Sequence, residues 1–211
     1  MQVSLISSPC ITGEQLAGMA SATCTHSADL KRSLRGSLSS GHESVLEHVN
    51  YTFLISGVSR VLLAQLTRHR IASYSVESQR YCEVKDDTDY ILPAKIGEDP
   101  SAKEVFTNAV GTAHEAYKKL IKLGIPKEDA RYVLPQCVSC TLVLTMNARE
   151  LRHFFSLRCC NRAQEEIREL ADTMLELVMR KDPILFKDAG PGCVRGRCPE
   201  GARSCGHPRV M

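Results

Sequence analysis

Apolar residues return at intervals of three and four after Ser101, at Val105, Ala109, Ala113, Ala116, Tyr117 and Leu120, and stop at Gly124 and Pro126. That period predicts an amphipathic helix closed by a glycine and a proline. A second helix is predicted after Asn161, from Ala163, Ile167, Leu170, Ala171, Met174 and Val178, and a third over 58–70, from Val58, Val61, Leu62 and Leu66. Five capping-box spacings mark helix starts: Thr12 with Gln15, Ser40 with Glu43, Ser101 with Glu104, Asn147 with Glu150 and Asn161 with Gln164. Strands are predicted at 3–6, 50–56 and 137–146, each rich in β-formers and bounded by polar or turn residues. The stretch 90–100, with two prolines and a glycine, reads as a loop. The pattern gives one α+β domain with more helix than strand, over 1–188. A tail over 189–211, rich in Gly, Pro, Arg and Cys and without apolar period, is appended to it.

Composition changes this picture little. With 43% hydrophobic and 24% charged residues in 211, the chain can bury a core and is not a disordered one. No apolar run is long enough to cross a membrane, and the opening residues lack a secretory signal, so a cytoplasmic protein is expected. A net charge of +3, no Trp and 5% aromatics argue against a nucleic-acid platform. Ten cysteines, without a signal peptide, point to free thiols or metal ligands before disulfides. Cys137 and Cys140 are three apart on a predicted strand and face opposite ways, while Cys159 and Cys160 mark a helix junction. Cys193, Cys198, Cys205 and His207 could enclose a structural zinc, but their spacing fits no common finger, and no resident metal is expected.

Two polar clusters carry the candidate chemistry. The first runs from Arg68-His69-Arg70 through Ser73, Ser75 and Ser78 to Arg80, with Gln65 one turn before it. Helix-end arginines suit the macrodipole, which accounts for one or two of these charges. Planar donors beside hydroxyls suit a phosphate and a hydrogen-bonding base. The second is the segment 147–158, where Arg149 and His153 are four apart and Arg158 continues the apolar stripe of Leu151 and Phe154. Either Arg158 snorkels outward or its guanidinium meets an anion in a cleft.

Arg68-His69-Arg70, seven residues and then Ser78 resembles the RHR-x7-S signature of the flavin-dependent thymidylate synthases. Three further blocks resemble that family in order: Gly41-His42-Glu43-Ser44 with Glu47-His48, Ala130-Arg131-Tyr132-Val133-Leu134-Pro135, and Asn147-Ala148-Arg149 through Leu157-Arg158. The resemblance implies a compact α+β fold with an antiparallel-rich sheet, assembled as a homotetramer with shared active sites. It implies reductive methylation of dUMP to dTMP without a protein cysteine nucleophile. The carbon donor would be 5,10-methylenetetrahydrofolate, FAD would deliver the hydride, NADPH would be the reductant, and tetrahydrofolate would leave.

By the same resemblance, Gln65, Leu66, Thr67, Arg68, Val76, Glu77, Ser78, Gln79, Arg80, Arg131 and Arg158 would contact dUMP. His42, Ser44, Arg68, His69, Arg70, Ile71, Val76, Asn147, Ala148, Arg149 and His153 would hold FAD. Arg158, the one residue assigned a catalytic role, would set positive charge where the pyrimidine becomes anionic. Two departures stand out. Ser75-Val76 replaces the Asn-Glu common in the signature, which removes a carboxylate at 76, and Ala22 stands where the family often has arginine. Two rivals differ in class: a nucleic-acid module built on tail Arg195, Arg197, Arg203 and Arg209, and a transferase using Cys137 as nucleophile.

Overall fold

Strand β1 (Gln2–Ser7) opens the chain and is followed by helices α1 (Gly13–Thr25) and α2 (Leu30–Ser39) and a 3-10 turn, Glu43–His48. Strand β2 (Asn50–Ser59), helix α3 (Arg60–Leu66) and strand β3 (Ala72–Val76) come next. Helices α4 (Ala94–Gly97), α5 (Pro100–Lys122) and α6 (Lys127–Ala130) precede strand β4 (Ser139–Asn147). Helices α7 (Ala148–Arg158), α8 (Glu165–Lys181) and α9 (Pro183–Phe186) complete the main elements. This computed structural model describes residues 1–85 and 89–209, so the last two residues of the predicted tail lie outside the described residues.

The four strands form one sheet in the order β1-β2-β4-β3. Thr52 and Thr145 share a hydroxyl hydrogen bond of 2.9 Å, and the Ala148 amide donates to the Val49 carbonyl at 2.8 Å. Residue numbers rise on β2 as they fall on β4, so this pair is antiparallel. Tyr51, Phe53 and Ile55 on β2, and Cys140, Leu142, Leu144 and Met146 on β4, are buried in strict alternation. The period-two burial is what a sheet with one covered face requires.

The chain divides into two units. One gathers Met1–Gln2, Ile55–Leu66 and Ser75–Leu142, with Val84, Tyr117, Ala130 and Val138 packed as a cluster. The other gathers Val3–Leu54, Thr67–Tyr74 and Val143–Met211. In the second unit Tyr51 and Phe186 meet edge-on with ring centres 5.6 Å apart, and Phe155 lies 6.1 Å from Phe186. Such contacts each add about 0.5–1.5 kcal/mol beyond their buried area. Tyr51 also donates to the fully buried Asp182 carboxylate at 2.6 Å.

The α1 capping box forms as its spacing predicts, with Thr12 and Gln15 exchanging two hydrogen bonds of 3.1 Å. Others shift. Helix α5 starts at Pro100, and Asp99 rather than Ser101 caps it, because proline favours the first helical position and makes its predecessor the cap. Ser40 ends α2 instead of starting a helix, since Gly41 at φ 74° turns the chain out of it. Asn161 does not cap α8, which begins at Glu165.

The helix predicted over 58–70 is only Arg60–Leu66. The Ser59 hydroxyl accepts from the Leu62 amide at 3.0 Å and fixes its start, while Val58 remains strand. Arg68, His69 and Arg70 therefore lie beyond the helix, and Gln65 shares no helical face with them. Strand β3, read from sequence as a polar segment, and α4, inside the predicted loop, were not foreseen, nor was α2.

Candidate active site

Helix α7 is placed by β4, whose last residue, Asn147, caps it by accepting from the Glu150 amide at 2.8 Å. Its buried face carries Leu151, Phe154 and Phe155. Glu150 and Arg152 are buried on the same helix, at 7% and 8% exposure, and each is paired. Arg152 donates to Asp188 at 2.8 and 3.2 Å, to Glu43 at 3.3 Å and to the Leu185 carbonyl at 2.6 Å. One guanidinium thus ties α7 to the 3-10 turn of the predicted His42–Ser44 block and to the end of α9.

Glu150 does not complete a capping box. Its carboxylate accepts from His69 Nδ1 at 3.0 Å, and His69 is 4% exposed. On the other side of the ring, Arg158 Nε donates to His69 Nε2 at 3.2 Å. An arginine has no acceptor, so Nε2 must carry the lone pair and Nδ1 the proton. The three groups form one ordered chain, Arg158 to His69 to Glu150. Burial is the main cause that lowers the His69 pKa from 6.5; Arg158 adds to this, and Glu150 opposes it. Burial, then the Arg68 guanidinium, lowers that of Arg158. Tyr74, pushed up to about 12 mainly by burial, donates to the His69 carbonyl at 2.7 Å and fixes the backbone beneath the ring.

The sign of the His69 shift sets a pH window. Below 6.5 the unfolded chain takes up a proton that folded His69 resists until its own lower pKa is reached. Stability therefore falls as pH drops from 6.5 through that window, and His69 contributes nothing to the slope above it. Thermal melts on either side of 6.5 are expected to show a shallower acid slope in His69→Asn than in the wild type.

A cleft of about 790 Å³ opens on this unit. Of the predicted flavin residues, Ile71, Asn147, Arg149 and His153 line it, with Glu150 and Arg152 beside them. Arg149 is paired with Glu47, also in the lining. His69 lies beneath, its ring 5.7 Å from that of His153. His42, Ser44, Arg68 and Arg70 are exposed in the same unit, and Ala148 is buried in the core. Leu38 and Ile71 are its apolar lining, and its arginines are matched by the carboxylates Glu43, Glu47, Glu150 and Asp188. Its size and its planar donors, not a net positive charge, therefore suit part of a large polar cofactor.

The other unit holds a second group of predicted residues. Glu77 pairs twice with Thr141, its amide donating at 2.9 Å and its carboxylate accepting at 3.2 Å. Ser78 folds a turn in which its hydroxyl accepts from the Arg80 amide at 3.3 Å. Arg80 and Arg131 converge on Glu128, one on its carboxylate at 2.7 Å and one on its carbonyl at 3.1 Å. Gln65, Val76 and Gln79 are half-buried in this unit, and Leu66 is fully buried, so the expected contact of Leu66 with dUMP finds no exposed atom here. Thr67 is exposed in the unit that bears the cleft.

Among the described residues, His69, Glu150 and His153 are the one trio with metal-ligand atoms within 4.8 Å of one another; Cys193, Cys198, Cys205 and His207 are not gathered so. Sequence reasoning missed Glu150, Arg152 and Glu128. Glu150 was visible only as a capping partner, and Arg152 only as one charge in a charged helix.

A model of the thymidylate synthase complementing protein family, Thy1, matches residues 5–184. The chain belongs to that family. Among its relatives, a flavin-dependent thymidylate synthase of Geobacter sulfurreducens is 51% identical over 170 residues, covering 80% of this chain and 73% of the relative. Those of Clostridium tetani and Pyrococcus abyssi are 48% and 46% identical, each over 82% of this chain and 76% and 74% of their own lengths. The family match takes in all four ordered blocks and stops before the tail.

Proposed function

We propose that the chain is a flavin-dependent thymidylate synthase that converts dUMP to dTMP, with 5,10-methylenetetrahydrofolate as carbon donor and NADPH as reductant. The observation that carries this reading is the ordered Arg158–His69–Glu150 chain, which spans α7 from its first turn to its last residue beside the exposed Arg68. Two neighbouring guanidinium groups favour an anion, and one of them is held in a fixed direction by an uncharged imidazole.

Asn147, Arg149, His153 and Ile71 would hold FAD along the cleft, with His42, Ser44, Arg68, His69 and Arg70 of the same unit added by family position. When bound, FAD supplies the hydride that completes the methyl group. Arg158 places positive charge where negative charge develops on the pyrimidine. His69, whose Nδ1–H donates to Glu150 and whose Nε2 accepts from Arg158, orients and does not shuttle protons. Glu128 presents Arg80 and Arg131 together as donors for a phosphate, and Ser78 and Gln79 add polar contacts. Glu77 occupies its carboxylate with Thr141, so its remaining lone pairs carry its contact with dUMP.

The assembly is a homotetramer of shared sites, which suits a small chain asked to hold three large ligands. Light scattering should give four times the 23.3 kDa chain mass. A cytoplasmic location goes with this reading. No helix among the described residues is long and apolar enough to cross a membrane, and the ten free thiols suit a reducing compartment. The catalytic domain is taken as 1–188 and the tail as 189–211.

The visible spectrum tests the proposal directly. A flavin band in the protein incubated with FAD, perturbed by dUMP, is expected; a protein that takes up no flavin would sink the reading. The cysteine rival has a physical difficulty, since burial pushes the Cys137 thiol up, away from the thiolate a nucleophile needs. Cys137→Ala is expected to keep dTMP formation.

A further inference from the structure

The turn after α7 is held from an unexpected direction. Asn161 Nδ2 donates to the His207 carbonyl at 2.9 Å, and its Oδ1 accepts from Arg209 Nε at 3.2 Å. Arg209 also grips Asp172 of α8 with two nitrogens, one at 2.7 Å, and its amide donates to Cys193 Sγ at 3.4 Å. The Cys159 backbone amide caps α7 directly after Arg158 by donating to the Phe155 carbonyl at 3.1 Å, and the Cys159 side chain is buried. The contacts tie the Cys159–Asn161 turn, through Asn161, to His207 and Arg209, and through Arg209 to Asp172 of α8. All of it lies in one unit.

Helix C-termini fray unless tertiary contacts hold them. Arg158 is the last residue of α7, and its Nε must lie within hydrogen-bond reach of His69. A displacement of about 1 Å at such a point can cost a reaction roughly 10²-fold. The family match ends at residue 184, so the segment that supplies this support lies outside it.

We propose that Arg209 is a positioning residue, which straps the C-terminal segment across the Cys159–Asn161 turn and holds Arg158 in its productive direction. This rests on the reading of Arg158 as the pyrimidine contact. The forked geometry explains why arginine serves: it binds both oxygens of Asp172 while reaching Asn161, which a lysine cannot do.

The test uses the full FAD-loaded chain with Arg209→Ala, and Asn161→Ala in case the first does not fold. Amide exchange at 157–162 is expected to quicken, and the dUMP concentration giving half of the flavin spectral change to rise roughly ten-fold. FAD affinity is expected to stay level, because Asn147, Arg149 and His153 lie in the first half of α7. Arg209→Lys should recover part of the dUMP response. Unchanged exchange would overturn the strap, and faster exchange with an unaltered dUMP response would overturn its positioning role. A wild-type protein that binds FAD but ignores dUMP would instead remove the reading of Arg158, and the positioning role with it.

Discussion

Arg158→Ala is expected to lower the rate of dTMP formation by roughly 10²–10³-fold while leaving FAD bound, the scale seen when one preorganised donor to a developing negative charge is removed. The expectation comes from where the residue sits. Its Nε is committed to the His69 ring, which turns the rest of the guanidinium into a directed donor, not a freely moving cation. Arg68 is close enough to disfavour the charge on Arg158, so the pair is under mutual repulsion that an anionic ligand relieves. Arg158→Lys keeps a charge but loses the planar fork and the fixed direction, and should recover little of the rate. Single-turnover assays with flavin absorbance followed in parallel separate the two losses. A variant that lost flavin and turnover together would place Arg158 in the cofactor site and not at the pyrimidine.

The parts of this site that were legible in the sequence are those written as local blocks. Arg68-His69-Arg70 with Ser78, and Asn147 through Arg158, name the residues, and the runs of β-formers over 50–56 and 137–146 mark the strands β2 and β4 that carry α7. The partnership of His69 with Glu150 was not legible, because it joins positions 81 residues apart and spends a carboxylate that the helix start would otherwise claim. The same competition explains the cap expected at Asn161. Asn161 has capping chemistry, but its side chain is taken by His207 and Arg209. The 58–70 helix was overextended because hydrophobic period alone cannot see that Ser59 caps it late or that Tyr74 holds the His69 backbone outside it. Tail residues gave a composition and no period, so their grip on the α7–α8 turn appears only in three dimensions.

Glu150→Ala is expected to be the second largest change, and it acts on rate and stability through one hydrogen bond. Removing the carboxylate leaves the Nδ1 proton of a 4% exposed imidazole without its acceptor, a loss of about 1–3 kcal/mol. The ring is then free to exchange tautomers, and a proton on Nε2 would turn the acceptor for Arg158 into a donor facing a donor. Loss of a carboxylate that orients a metal-bound histidine costs about 10–100-fold, and a fall in turnover on that order is expected here for a histidine that orients an arginine. Glu150→Gln separates charge from hydrogen bonding, since its amide oxygen can still accept from Nδ1. It should keep most of the stability and the tautomer while removing the carboxylate's charge. That charge raises the His69 pKa, against the burial that lowers it, so both variants should move the acid limb of turnover to lower pH. A pH–rate profile of wild type, Glu150→Gln and Glu150→Ala decides the matter. An acid limb that stays in place in all three would mean that His69 does not set it, and that the imidazole serves packing and not the direction of Arg158.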